Sequence, residues 1–392
     1  MDFTLSTKEH RAAVEAAAGA LPRRTGILPA LTLVRVDAHA DGRITFQGTD
    51  LEFAIQAEVR GEVAVPGSLC LAGSQLADIA RESDPDGRTR IHVDGTAGLI
   101  EAGRSRFRLA ACPAADYVGG PDPAGAPPVT VSGDVLRAMA SRVSWVASKE
   151  ESRGSLCGVL LETTGTSLRM VATNGKQLAL CEAPLAGLAP GIRRVVPPQL
   201  LATAERLLKG RGPVEVSLGE STVGLRVAGL ALTARTLPGT YPDYGKVLPR
   251  KAATVVQLPT ATLLQAVRRM ATVARAHDYK AIILRTEGRT LRMWTRTPDV
   301  GTAHEVVEAT ILDGPATVAF NAVMMEDVLG SVSAEEVRLR IHGSRGGILL
   351  DGRGDDPIRS LWLVMPVSLD SLDCTEPEEV HEGAAEPLAA AA

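Results

Sequence analysis

The side chains best equipped for chemistry are seven histidines, five cysteines and the stretch Asn174-Gly175-Lys176-Gln177. A phosphate-cradling loop needs a second glycine five positions upstream and a Ser or Thr after the lysine. Position 170 is Met and Gln177 follows Lys176, so that loop chemistry is missing. His10, His39, His92, His277, His304, His342 and His381 form no H-E-x-x-H pair or ligand-like cluster. No Gly-x-Ser-x-Gly elbow occurs, and Arg353-Gly354-Asp355 reads as a turn. Cys70, Cys112, Cys157, Cys181 and Cys374 are odd in number, widely spaced and without a C-x-x-C pair. They read as small buried hydrophobes plus one tail thiol, not as a disulfide framework or zinc site. The sequence therefore points away from an enzyme, with no catalytic residue, metal or cofactor expected, and towards a protein that works by binding.

The 392 residues are enough for two to four ordinary domains, and 45% hydrophobic content supports large cores. Aromatics are only 3%, so Leu, Val, Ala and Ile must fill those cores. No run approaches the ~18 apolar residues of a membrane span. The start, Met1-Asp2-Phe3-Thr4-Leu5, lacks the basic and apolar regions of a signal peptide, so the cytoplasm is the expected compartment. The net charge of −4 is unevenly distributed. Residues 370–392 hold Asp370, Asp373, Glu376, Glu378, Glu379, Glu382 and Glu386 and no Lys or Arg, so the body without them carries +3. That acidic, Ala- and Pro-containing stretch reads as a disordered tail.

A weak repeat of about 125 residues organises the rest. Each copy opens with a short alternating strand and a helix: Phe3–Ser6 then a helix to about Leu21; Val129–Ser132 then one to about Ser148; Val256–Pro259 then one to about His277. Ser6, Ser132 and Thr260 are the expected N-caps. A second strand–helix unit follows midway, with helices over 74–81, 199–209 and 323–330. Period-two runs such as Val214-Glu215-Val216-Ser217-Leu218 read as antiparallel strands. Two helices and many strands per copy predict an α+β fold of three tandem domains, 1–125, 126–250 and 251–369, followed by the tail 370–392. Pro- and Gly-rich segments at 119–128 and around Leu248-Pro249-Arg250-Lys251 mark the boundaries.

Several helices carry cations off their apolar stripes. Leu263, Val267, Met270 and Ala274 line one face of the third repeat's first helix, leaving Arg268, Arg269 and Arg275 outside it. Arg206 and Lys209 lie opposite Leu200, Leu201, Ala204, Leu207 and Leu208, and Arg137 sits off the stripe of its helix. One such face is ordinarily just solvated, but recurrence across repeats raises a phosphate-facing surface.

Seven short motifs stand in order along this repeat: Gly48-Thr49-Asp50-Leu51-Glu52, Gly103-Arg104-Ser105-Arg106-Phe107, Pro113-Ala114-Ala115-Asp116-Tyr117, Val171-Ala172-Thr173-Asn174-Gly175, Tyr241-Pro242-Asp243-Tyr244 with Val247-Leu248-Pro249, Phe320-Asn321, and Val364-Met365-Pro366. Over residues 1–369 the chain resembles the bacterial replicative sliding clamps, the beta subunit of DNA polymerase III. That resemblance implies a head-to-tail homodimer, closed into a pseudo-sixfold ring around double-stranded DNA, with helices lining the hole. It also implies a pocket between the second and third domains for short motifs of partners, among them the polymerase III alpha subunit, the clamp loader and other clamp-binding-motif proteins. By motif, the pocket residues are Leu156, Thr173, Gly175, Lys176, Gln177, Leu178, Pro242, Val247, Tyr279, Asn321, Met324, Leu363, Val364, Met365 and Pro366.

The same resemblance implies a dimer contact that pairs Phe107 and Leu109 with a helix end near Val273 and Ala274. Arg104 and Arg106 would face acids such as Glu305 or Glu308. Arg23, Arg24, Arg137, Lys149, Arg153, Arg206, Lys209 and Arg268 are the candidate DNA contacts. The chain departs from the family pattern at Gln177, where a second basic residue is common, and at Pro198-Gln199, where a basic pair is common. Ala274 is small for its place, and the acidic tail, expected within reach of Lys176, is unusual. A specialised second clamp, or a scaffold that gathers partners without retaining DNA, is the alternative reading.

Overall fold

A computed structural model describes residues 1–22, 28–122, 125–185, 187, 189–249 and 254–376. The chain separates into two units, one of residues 1–174 with 180–241, the other of 175–179 with 242 onward. No helix of the described residues is long and apolar enough to cross a membrane.

The first unit holds the first two repeats. Helices α1 (Thr7–Ala18) and α2 (Gly73–Glu82) pack together, as do α3 (Gly133–Val143) and α4 (Pro198–Leu207). The repeats share one antiparallel sheet, because strand Leu230–Arg235 pairs with strand Phe53–Arg60, with Leu232 opposite Ile55. Alternation drives these strands: in Pro213–Leu218, Val214, Val216 and Leu218 are buried while Glu215 is exposed. Alanines fill α1 because the sheet comes very close. A Cβ at Gly48 would lie 2.1 Å from the Ala17 carbonyl oxygen, so only glycine fits there. The adjoining residues of that motif build a turn. Asp50 Oδ1 accepts from Glu52 N and Phe53 N at 3.1 and 2.7 Å, and Leu51 takes a positive φ of 79°. Gly48-Thr49-Asp50-Leu51-Glu52 is thus a folding signal, not a binding one.

The second unit is the third repeat. Helices α5 (Thr260–Ala274) and α6 (Ala322–Ser331) pack together. One sheet orders its strands as Gly301–Glu308, Thr290–Thr297, Ala281–Glu287, Thr317–Asn321 and Pro366–Val367. A second layer runs Arg359–Val364, Ile348–Arg353, Glu336–Ile341, Thr254–Pro259 and Thr310–Ile311.

The expected caps are met in two of three cases. Ser6 and Ser132 accept from Glu9 N and Val135 N, but α5 starts after Pro259, and the Thr260 hydroxyl donates to Ala334 O at 2.7 Å instead. The first helix of each repeat ends three to five residues earlier than expected, at Ala18, Val143 and Ala274. Beyond those points 3₁₀ turns and loops carry on an apolar pattern that is not helical.

The expectation of a disordered tail from Asp370 is corrected. Leu369–Ser371 form a 3₁₀ turn, and Leu369, Leu372 and Cys374 pack with Val367 against Ile283, Trp294 and Ala319. Asp373 pairs with Arg296 at 2.7 Å, and Glu376 with Arg292 and Arg285 at 2.7 and 3.1 Å. Composition suggested a solvated chain because it does not register that the sheet supplies cations for those acids. Residues 377–392 of the expected tail lie outside the described residues.

Candidate protein-docking site

In the second unit Val247, Tyr279 and Met365 are exposed at 55%, 48% and 39%. A hydrogen-bonded frame links the segments that carry Tyr279 and Met365. Asn321 caps α6, its Oδ1 accepting from Val323 N and Met324 N at 3.1 Å each, while its Nδ2 donates to Tyr279 O at 2.9 Å. Gln177 is buried, and its Nε2 donates to Met324 O at 3.0 Å. Met365 N donates to Lys176 O at 2.8 Å, and Pro366 stands opposite Phe320 in the sheet. Residues 176–177, 279, 321, 324 and 365–366 are thereby tied into one rigid surface. Tyr279 rides on a tight turn after α5, where Lys280 has φ 49° and Tyr279 N donates to His277 Nδ1 at 3.1 Å.

Other predicted members fall differently. Leu178, Leu363 and Val364 are 2%, 2% and 0% exposed, so they are core beneath the patch and present no surface of their own. Gly175 has φ 85°, and Pro242 is exposed. Val247 ends a 3₁₀ turn, Tyr244–Lys246, capped by Asp243. Leu156 and Thr173 belong to the first unit, both partly exposed. Sequence reasoning passed over Gly347. Its φ is 80°, and a Cβ there would sit 3.0 Å from Leu363 Cδ1 and 3.8 Å from the Met365 sulfur. The doublet Gly346-Gly347 was the available signal. Among the described residues no cluster of His, Cys, Asp and Glu could hold a metal ion.

The candidate cations vary in how free they are. Arg206, Lys209 and Lys149 are exposed, and Arg137 is half-buried with Asp134 4.0 Å away. Arg153 folds back onto Glu150 and the Asn174 carbonyl, both at 2.8 Å. Arg268 and Arg275 converge on Glu326 of α6 at 3.2 and 2.6 Å. Arg23 and Arg24 lie outside the described residues.

Family models of the N-terminal, central and C-terminal domains of the DNA polymerase III beta subunit match residues 1–119, 130–243 and 245–367. The beta sliding clamp of Caulobacter vibrioides is 31% identical over 353 residues, which cover 88% of this chain and 94% of that one. This chain belongs to the beta sliding clamp family. The Pseudomonas putida clamp is 29% identical over 94% of this chain and all of its own. A Pseudomonas aeruginosa sliding clamp structure superposes with a TM-score of 0.87 at 28% identity, over 94% of this chain and all of that one. Another structure of that protein, at 29% identity, contains bound griselimycin.

The residues expected at a dimer contact lie on two strands and one helix end. Strand Ser105–Pro113 pairs with Ala97–Ala102 along its first part and with Gly67–Ala72 only at its end, leaving one side of Ser105–Ala110 without a strand partner among the described residues. Phe107 and Leu109 are half-buried on it, and Arg104 and Arg106 are exposed, Arg106 lying 3.4 Å from Glu101. Strand Gly301–Glu308 is the edge of its sheet, with Val306 at 49% exposure. Two details of the chain bear on the expected dimer contact. Ala274 is fully buried in the core of its own unit, so only Val273 of that pair offers surface. Glu305 is held by Arg269 of α5, which leaves Glu308 as the exposed acid on that edge.

Proposed function

We propose that this chain acts as a non-enzymatic processivity factor that encircles double-stranded DNA as a homodimeric ring. It would hold the polymerase III alpha subunit, the clamp loader and other motif-bearing proteins through the Val247–Tyr279–Met365 patch. The observation that carries the docking role is exposed apolar side chains on a frame fixed by Asn321 and Gln177. Exposed apolar surface held rigid loses little entropy on binding, which suits capture of a short peptide. Griselimycin bound to the Pseudomonas aeruginosa clamp supports a ligand-accepting surface in this family. Primer extension by the polymerase III core on a long primed template tests the reading. Wild-type protein should lengthen the products, and Val247→Ala with Met365→Ala should not. Equal product lengths with both proteins would remove the patch from this role.

One observation favours the scaffold reading: Glu326 draws Arg268 and Arg275 into ion pairs within the chain, which leaves less free positive charge to meet DNA. Enclosure, unlike tight phosphate binding, does not need that charge, so the clamp reading stands first.

A further inference from the structure

The outward face of strands Ala281–Glu287, Thr290–Thr297 and Gly301–Glu308 concentrates cations around an indole. Trp294 stands opposite Ile283 on one side and His304 on the other, and Arg285 lies over its ring at 4.9 Å. Arg292 and Arg296 flank Trp294 on the same strand face. This face is filled by the chain's own residues 369–376, which lie beyond the last residue matched by the family models, 367. The segment has the form of an extended ligand. Leu372, Cys374 and Glu376 are partly buried and alternate with exposed Ser371, Asp373 and Thr375. Leu372 and Cys374 pack on the Ile283–Trp294–Ala319 cluster. Glu376 meets Arg292, Arg285 and, at 3.5 Å, His304, while Asp373 meets Arg296. The fit is incomplete: Trp294 Nε1 is buried without a hydrogen-bond partner among the described residues.

We propose that this face is a second protein-docking site, selective for an extended acidic segment with small aliphatic side chains at alternate positions, and that residues 369–376 occupy it in cis. The ion pairs are partly exposed and therefore weak enough to open. Chain connection keeps the segment at an effective concentration on the order of millimolar, so only a partner with comparable contacts displaces it. This site is built around an indole and three arginines and uses none of Val247, Tyr279 and Met365, so either can fail alone.

The test uses the full chain with Asp373→Asn and Glu376→Gln to open the strap. Alkylation of Cys374 by N-ethylmaleimide, followed by peptide mapping, should run about tenfold faster than in wild type once the charge on both carboxylates is lost. A fluorescein-labelled peptide of residues 368–378 should then bind the opened protein at least about tenfold tighter than wild type, where the cis segment competes. Adding Arg285→Gln and Arg292→Gln to the opened protein should abolish that binding. The proposal is overturned if Cys374 reactivity is unchanged, or if Cys374 is freed and the peptide still fails to bind. Binding of a single-stranded oligonucleotide in place of the peptide would also overturn it and make the face a nucleic-acid surface. Glu376→Gln alone, expected to give the same effects in smaller degree, serves if the double variant folds poorly.

Discussion

At the scale of single residues, Asn321 does two separable things. Its carbonyl oxygen caps α6, and its amide holds the Tyr279 carbonyl. Asn321→Ala should cost about 1 kcal/mol of stability through the lost cap and should also weaken peptide binding. Asn321→Asp keeps the cap acceptor but loses the donor, so thermal denaturation should move little while calorimetric affinity for a polymerase-derived clamp-binding peptide falls. Equal affinity for wild type and Asn321→Asp would detach Tyr279 from the site. Val247→Ala with Met365→Ala should weaken the same peptide roughly thirtyfold, the size of a ~2 kcal/mol hot spot. Unchanged calorimetry with that double variant would place the site elsewhere. Val247 and Met365 stand in motifs of the sequence, which is why they were candidates for the pocket. The burial of Leu178, Leu363 and Val364 was not legible, because a motif marks a position in the chain without telling which face of a strand it takes.

At the scale of elements, α1 carries a histidine in its core. His10 is fully buried against Phe46, with ring centroids 5.8 Å apart, and burial pushes its imidazole down to about 4. The folded state therefore resists a proton that the unfolded chain accepts below its ordinary value of 6.5. The contribution is intact above pH 6.5, is lost progressively as pH falls to about 4, and is flat below. Its size is at most about 3 kcal/mol. His10→Leu should flatten urea-unfolding stability across that window, and an unchanged slope would mean that other groups set the acid sensitivity. On α6, Glu326→Gln frees Arg268 and Arg275. If α5 faces DNA, loader-free binding should tighten severalfold at low salt and its salt dependence should steepen. No change in a salt titration would mean that those arginines do not meet phosphate. The two helices of each repeat were legible in the sequence, though not their packing against each other. Their partner acids were not, because Arg268 and Glu326 are 58 positions apart and meet only when α5 and α6 pack. The strap over Trp294 was hidden for the same reason: its acids were visible, and the cations that hold them lie on strands some 80 residues earlier.

At the scale of the whole molecule, three repeats were readable because each reuses one strand–helix pattern and the family motifs fall on it in order. In the proposed ring, two chains would meet at a strand edge. The edge at Ser105–Ala110 carries Phe107 and Leu109, and burying both across a subunit contact should contribute a few kcal/mol, from roughly 1.5–3 kcal/mol for each large side chain fully buried. Phe107→Ala with Leu109→Ala should shift the dimer towards monomer in sedimentation at micromolar concentration, and an unaltered dimer would move the interface off this edge. Enclosure is the central claim, since it explains how a chain whose body is only modestly basic and whose arginines are partly self-neutralised can still stay on DNA. The direct measurement is retention after loading by the clamp loader onto nicked circular DNA, at a salt concentration that abolishes phosphate contacts. The account predicts that the protein remains on the circle and is lost when a restriction enzyme linearises it. Equal loss from circular and linear DNA would contradict it.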